Sequence, residues 1–127
     1  MKVLIVDDEP NILLSLEFLM KKEGYRVFIA RDGAEAFDII RQEVPDLLLL
    51  DVMMPRVDGY EVCQFVKQSP EYQHCKVIFL SAKSKEIDVK RGLALGADLY
   101  LPKPFSTREL VAKIHELLPQ TASSSGR

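Results

Sequence analysis

Short runs of apolar residues alternate five times with longer stretches of helical spacing, and this alternation constrains the fold more than any other feature. The short runs are Val3-Leu4-Ile5-Val6, Val27-Phe28-Ile29, Leu47-Leu48-Leu49-Leu50, Val77-Ile78-Phe79-Leu80 and Leu99-Tyr100-Leu101. Their length suits strands. Between and after them, apolar residues recur at i, i+3 and i+4, as on one face of a helix. The five stretches are Ile12, Leu13, Leu16, Leu19, Met20; Ala36, Phe37, Ile39, Ile40; Val62, Phe65, Val66; a weaker Ile87, Leu93, Ala94, Leu95; and Leu110, Val111, Ile114, Leu117, Leu118. The first and third runs are unbroken by polar residues, which predicts burial on both faces, as in a parallel sheet. Right-handed crossovers then set helices on both sides of that sheet. The expected fold is a doubly wound α/β domain with five parallel strands and five helices.

Helix ends carry matching signals. Ser106 to Glu109 has the form of a capping box, Gly24 and Gly96 stand where glycine closes a helix, and Pro119 can stop the last one. The 127 residues make one domain of ordinary size. We expect it to span 1–119, with a small, polar linker or disordered tail over 120–127. A net charge of -2 is a poor basis for holding nucleic acid by its phosphates. No apolar run approaches the roughly 18 residues of a membrane span, and the first ends at Asp7-Asp8, unlike a signal-peptide core. Two cysteines, Cys63 and Cys75, are too few for a disulfide framework and read as cytoplasmic thiols. The expected location is therefore the cytoplasm, with no membrane or nucleic-acid partner.

Ligands of an open parallel sheet bind at the carboxyl ends of its strands. Here those ends carry Asp7-Asp8, Asp51, Ser81-Ala82 and, past the fifth, Lys103-Pro104. A lone aspartate there is ordinarily a turn former or a cap. Three at neighbouring strand ends repel one another and call for a cation. Mg²⁺ suits a few carboxylates plus water. A cation and a lysine together suit a phosphoryl group.

The motifs Val6-Asp7-Asp8-Glu9-Pro10, Leu50-Asp51-Val52-Met53-Met54-Pro55 with Asp58-Gly59, Leu80-Ser81-Ala82, Gly96-Ala97-Asp98 and Tyr100-Leu101-Pro102-Lys103-Pro104-Phe105 follow in order. Over residues 2 to about 118 the chain resembles the receiver domain of bacterial two-component response regulators. The resemblance implies a flavodoxin-like strand order, 2-1-3-4-5. It implies a phosphorylation-dependent signalling switch rather than an enzyme with a separate substrate, one that catalyses its own phosphotransfer and dephosphorylation. Asp51 would be the phosphoacceptor. Asp7, Asp8, Asp51 and the backbone carbonyl of Met53 would hold Mg²⁺, Asp8 directly and Asp7 largely through water. Ser81 would be the switch hydroxyl, Lys103 the lysine that pairs with the phosphoryl group, and Tyr100 the rotating aromatic switch. Lys103-Pro104 would be a cis peptide. Met53 and Lys83 would overlook the phosphoryl group and tune its lifetime.

The same resemblance implies a sensor histidine kinase or phosphotransfer protein as partner, and a signalling surface of the fourth helix, fifth strand and fifth helix. It leaves open an output domain C-terminal to this chain. A homodimer through that surface is also open: Arg91 and Glu109 match an intersubunit ion pair of one subfamily, and Lys113 matches another, but Leu99 stands after Asp98 where a second aspartate is common. Competing readings fit less well. An aspartate-nucleophile phosphatase needs an acid two residues on, where Met53 cannot transfer a proton. A dinucleotide site needs glycines that Asp7-Asp8-Glu9-Pro10-Asn11 lacks. A docking module that had lost phosphorylation would not keep every functional position filled. Cys63 reads as packing, a Cys75–His74 metal site lacks further ligands, and His115 reads as solvated.

Overall fold

A computed structural model describes residues 1–54 and 57–118. Pro55, Pro119 and the expected tail at 120–127 lie outside the described residues. The elements are β1 (Lys2–Val6), α1 (Pro10–Lys22), β2 (Arg26–Ala30), α2 (Gly33–Glu43), β3 (Leu47–Leu50), α3 (Gly59–Gln68), β4 (Lys76–Ser81), α4 (Glu86–Ala94), β5 (Leu99–Pro102) and α5 (Thr107–Leu117). The strands form one parallel sheet in the order β2-β1-β3-β4-β5, the arrangement expected.

The leucine run of β3 is buried throughout, because alternate residues feed two cores. Leu48, Leu50, Leu4, Val6, Val77 and Phe79 pack with α2 and α3 on one face. Leu47, Leu49, Val3, Ile5, Ile78 and Leu80 pack with α1 and α5 on the other. Asp32, Asp58 and Ser106 cap α2, α3 and α5, each side chain accepting from the backbone N–H three residues on. Gly24 and Gly96 have φ of 91° and 105°, the left-handed backbone that glycine tolerates at a helix end.

The fourth helix departs from expectation. Ile87 and Leu93, read as part of its buried face, are 74% and 46% exposed. Its contact with the sheet is made at Gly92, where an added Cβ would stand 2.9 Å from the Tyr100 ring and 3.0 Å from the Phe79 ring. Glycine allows that close approach and leaves no apolar mark in the sequence. Among the described residues, no helix is long and apolar enough to cross a membrane.

Candidate functional site

Strand register builds the site. Val6 is paired with Ala30 on one side and Leu50 on the other, Leu50 with Phe79, and Ser81 with Pro102. The ladders run on by single bonds: Asp7 N–H to the Ala30 carbonyl (3.2 Å), Asp51 N–H to the Val6 carbonyl (3.0 Å) and Lys103 N–H to the Ser81 carbonyl (2.8 Å). Asp7, Asp51, Ser81 and Lys103 thus share the carboxyl edge of the sheet. Gly59 seats α3 beneath it. Its N–H donates to the Val52 carbonyl at 2.8 Å, and a Cβ there would lie 2.2 Å from the Asp51 carbonyl oxygen.

Carboxylate oxygens of Asp7, Asp8 and Asp51 lie within 4.8 Å of one another. Asp7 and Asp51 are buried and Asp8 is exposed. Burial pushes the Asp51 carboxyl up to about 6, against the pull of Lys103, and the charges of Asp7 and Asp8 add to the rise. A hydrogen bond from the Met53 backbone works the other way. Lys103 donates to Asp7 at 2.9 Å and lies 3.9 Å from Glu9. Burial acts to lower its pKa, but the bond to Asp7 and the charges of Asp51, Asp7 and Glu9 outweigh that and raise it. The other Asp7 oxygen accepts from the Glu9 N–H at 3.0 Å. The Lys103-Pro104 bond is cis.

Three oxygen acids around a buried, under-compensated charge fit a hard divalent cation. Asp7, Asp8 and Asp51 are the side chains that could hold it.

Ser81 is fully buried, and its hydroxyl oxygen accepts from the Lys83 N–H at 3.1 Å. Tyr100 is buried at 6% exposure, and its hydroxyl donates to the Lys83 carbonyl. One backbone unit therefore joins both expected switch residues. Tyr100 already points inward here, where the sequence reading expected it to turn in after Ser81 moves. The Lys83 ammonium lies 3.9 Å from Asp88 on α4. Met53 is 57% exposed.

Other expectations resolve simply. Cys63 and Cys75 are buried free thiols, pushed up by burial to about 11 and about 12; both are packing residues of the core around α3. His115 is not merely solvated, since its ring nitrogen lies 3.1 Å from Glu23. Sequence reasoning passed over Tyr60. It is 2% exposed, donates to the Asp88 carbonyl at 3.0 Å and carries the Arg91 guanidinium 4.2 Å above its ring. The available signal was an aromatic residue directly after Gly59, in the first turn of the helix behind Asp51. Leu14 and Phe18 of α1, 68% and 71% exposed, were also passed over because they fall off the buried face.

Comparison with known proteins agrees with this geometry. The response regulator receiver domain family matches residues 3–115. A chain assigned as a response regulator in Chloroflexus aurantiacus is 35% identical, with a TM-score of 0.86 over 91% of this chain and 95% of that one. The chemotaxis response regulator CheY4 of Vibrio cholerae is 30% identical, with a TM-score of 0.85 over 92% and 98%. The BeF3-activated DrrB receiver domain is 31% identical, with a TM-score of 0.84 over 91% and 95%. This chain belongs to the response regulator receiver domain family of two-component systems, whose members are phosphorylation-dependent signalling domains.

Proposed function

We propose that Asp51 accepts a phosphoryl group from a histidine kinase or phosphotransfer protein, and that the change is signalled through α4, β5 and α5. The observation that carries this reading is the convergence of three carboxylates within 4.8 Å beside a lysine 2.9 Å from one of them. The nucleophile is the ionised Asp51 carboxylate, the majority form above about pH 6. Its oxygen bonds to phosphorus as the bond to the donor nitrogen breaks, and the electron pair stays with the imidazole. The product is an aspartyl phosphate.

Asp7, Asp8, Asp51 and the Met53 carbonyl would hold Mg²⁺. When bound, it supplies positive charge that offsets repulsion between the carboxylate and the incoming phosphoryl oxygens. Lys103 contributes a second cation from the other side and can exchange its Asp7 partner for a phosphoryl oxygen. Ser81 accepts one hydrogen bond in this structure and keeps its own proton to donate to a phosphoryl oxygen. Any shift of Ser81 toward that oxygen draws on Lys83 N–H, and Lys83 in turn holds Tyr100 by its carbonyl. The Tyr100 ring packs against Phe79, with centroids 5.5 Å apart, and close to Gly92 of α4. The charge change is thus read by packing at α4 and β5.

A second copy docking through this face would need Arg91 to leave Tyr60 before meeting Glu109. Beryllofluoride with Mg²⁺ in a sedimentation experiment tests that step, and an unchanged monomer at high concentration counts against it. The phosphoacceptor is tested by intact mass after treatment with acetyl phosphate and Mg²⁺. We expect one added phosphoryl group in the parent and none in Asp51→Asn. Equal modification of both would overturn the assignment.

A further inference from the structure

Resting on the reading of Asp51 as phosphoacceptor, we propose that the cavity beside it is a leaving-group subsite. It favours small phosphodonors whose leaving group is a carboxylate, with Arg91 as the residue that recognises that anion. The cavity has a volume of about 390 Å³ and is lined by Asp8, Met53, Met54, Tyr60, Lys83 and Arg91. That is within the size range of small-molecule sites.

In-line transfer sets the leaving group opposite the attacking Asp51 oxygen. That path runs between Met53 and Lys83, and both line this cavity. Met53, Met54 and Tyr60 offer an apolar wall for an acyl carbon chain. Lys83 and Arg91 bring positive charge. Lys83 lies 3.9 Å from Asp88, so part of its charge is answered already. Asp58, also in the wall, is engaged as the cap of α3 by the Glu61 N–H, and Asp8 belongs to the acidic cluster.

Arg91 is held differently. Its guanidinium lies 4.2 Å over the Tyr60 ring. That ring is itself fixed by burial, by its bond to the Asp88 carbonyl and by edge contact with Phe79 at 5.5 Å. Stacking occupies the face of a guanidinium and leaves its in-plane N–H donors for a planar oxyanion. A carboxylate is such a partner.

With acetyl phosphate, an Asp51 oxygen bonds to phosphorus, the phosphorus–oxygen bond to the acetyl group breaks, and the electron pair departs on acetate. No proton is required. Negative charge grows on the acetyl oxygens, where Arg91 can stabilise it. With phosphoramidate, the phosphorus–nitrogen bond breaks and the nitrogen departs as neutral ammonia, so a cation gives no such help. The donor pair isolates the charge of the leaving group.

The test measures Asp51 phosphorylation of the full chain with Mg²⁺ and each donor, in the parent, Arg91→Ala and Arg91→Lys. We expect Arg91→Ala to lower the acetyl phosphate to phosphoramidate rate ratio by about tenfold, and Arg91→Lys to restore part of it. Equal losses with both donors would show that Arg91 acts only through the packing of α4, and would overturn the inference, as would no change with either. A parent that accepts from neither donor would overturn the Asp51 reading itself, which sets that failure apart. A binding readout is independent of turnover. In Asp51→Asn, titration with acetyl phosphate should shift the Arg91 Nε–H resonance and phosphoramidate should not. Absence of a shift with acetyl phosphate would also overturn the inference.

Discussion

The Lys103 ammonium lies 2.9 Å from Asp7, with the two side chains 14% and 3% exposed. A pair buried this far is costly to break from one side, on the order of 3 kcal/mol, because the remaining charge stays out of water. The raised pKa of Lys103 means that its contribution is fully present below the ordinary lysine pKa and is lost only as pH rises through the folded value. Lys103→Gln should therefore lose stability to urea at pH 7.5 without metal, and should lose most of its phosphorylation rate. Mg²⁺ should return part of the stability by supplying another cation to the same carboxylates. A loss that Mg²⁺ leaves unchanged would argue against a shared site.

The edge that holds this pair was legible from sequence because each strand there ends in an apolar run. Asp7, Asp51 and Ser81 follow β1, β3 and close β4, and parallel register does the rest. The strands were legible because burial on two faces writes unbroken runs such as Leu47 to Leu50. The α4 contact was not, because Gly92 makes it and a glycine has no side chain to give a periodic signal. The Arg91–Tyr60 stack was illegible for another reason. It depends on how two helices face each other, and neither residue's local pattern carries that information. The bond from Lys103 to Asp7 was missed because the resemblance points to the phosphorylated state, in which the lysine has another partner.

Asp51 carries a stability cost that pH should reveal. Its carboxyl is raised from 3.8 to about 6, so the folded state holds the proton more tightly than the unfolded one. Stability then falls as pH rises from about 4 to about 6, and above that the cost is full, on the order of 2–3 kcal/mol. Asp51→Asn should raise the thermal midpoint of the metal-free protein by several degrees at pH 7.5, and the gain should vanish near pH 4. Mg²⁺ should narrow the difference by stabilising the parent. A gain that is the same at both pH values would refute the electrostatic account.

Gly92 should be sensitive to a single methyl group. An added Cβ would stand 2.9 Å from Tyr100 and 3.0 Å from Phe79, so α4 or the ring must move. We expect Gly92→Ala to cost about 1–3 kcal/mol and to loosen the bond from Tyr100 to Lys83, seen as greater quenching of tyrosine fluorescence. In a Tyr100→Ala background the ring is gone, and the same substitution should cost much less. Full additivity of the two changes would show that Tyr100 is not what Gly92 accommodates.

The lifetime of the aspartyl phosphate should be governed by the pair that overlooks it. Hydrolysis needs a water in line with the Asp51 oxygen, on the path between Met53 and Lys83. Met53 is 57% exposed and offers no donor and only a weak sulfur acceptor. Lys83 cannot accept a proton while charged, and its ammonium lies 3.9 Å from Asp88, at the wall of the same cavity. Neither side chain can hold a water with its lone pair aimed at phosphorus, and both occupy the approach. Hydrolysis should therefore be slow for this family, with resetting left to a kinase or phosphatase. Met53→Asn combined with Lys83→Glu supplies acceptors on both flanks and removes the cation, and should speed decay by about tenfold, equal to about 1.4 kcal/mol in the barrier. The measurement is loss of the phosphoryl group by intact mass over time, with excess donor removed. Because Lys83→Glu also sets a like charge beside Asp88, Met53→Asn alone serves as the control and should give a smaller acceleration. Decay no faster than the parent in both variants would mean that Lys83 stabilises the hydrolytic transition state as much as it blocks the water.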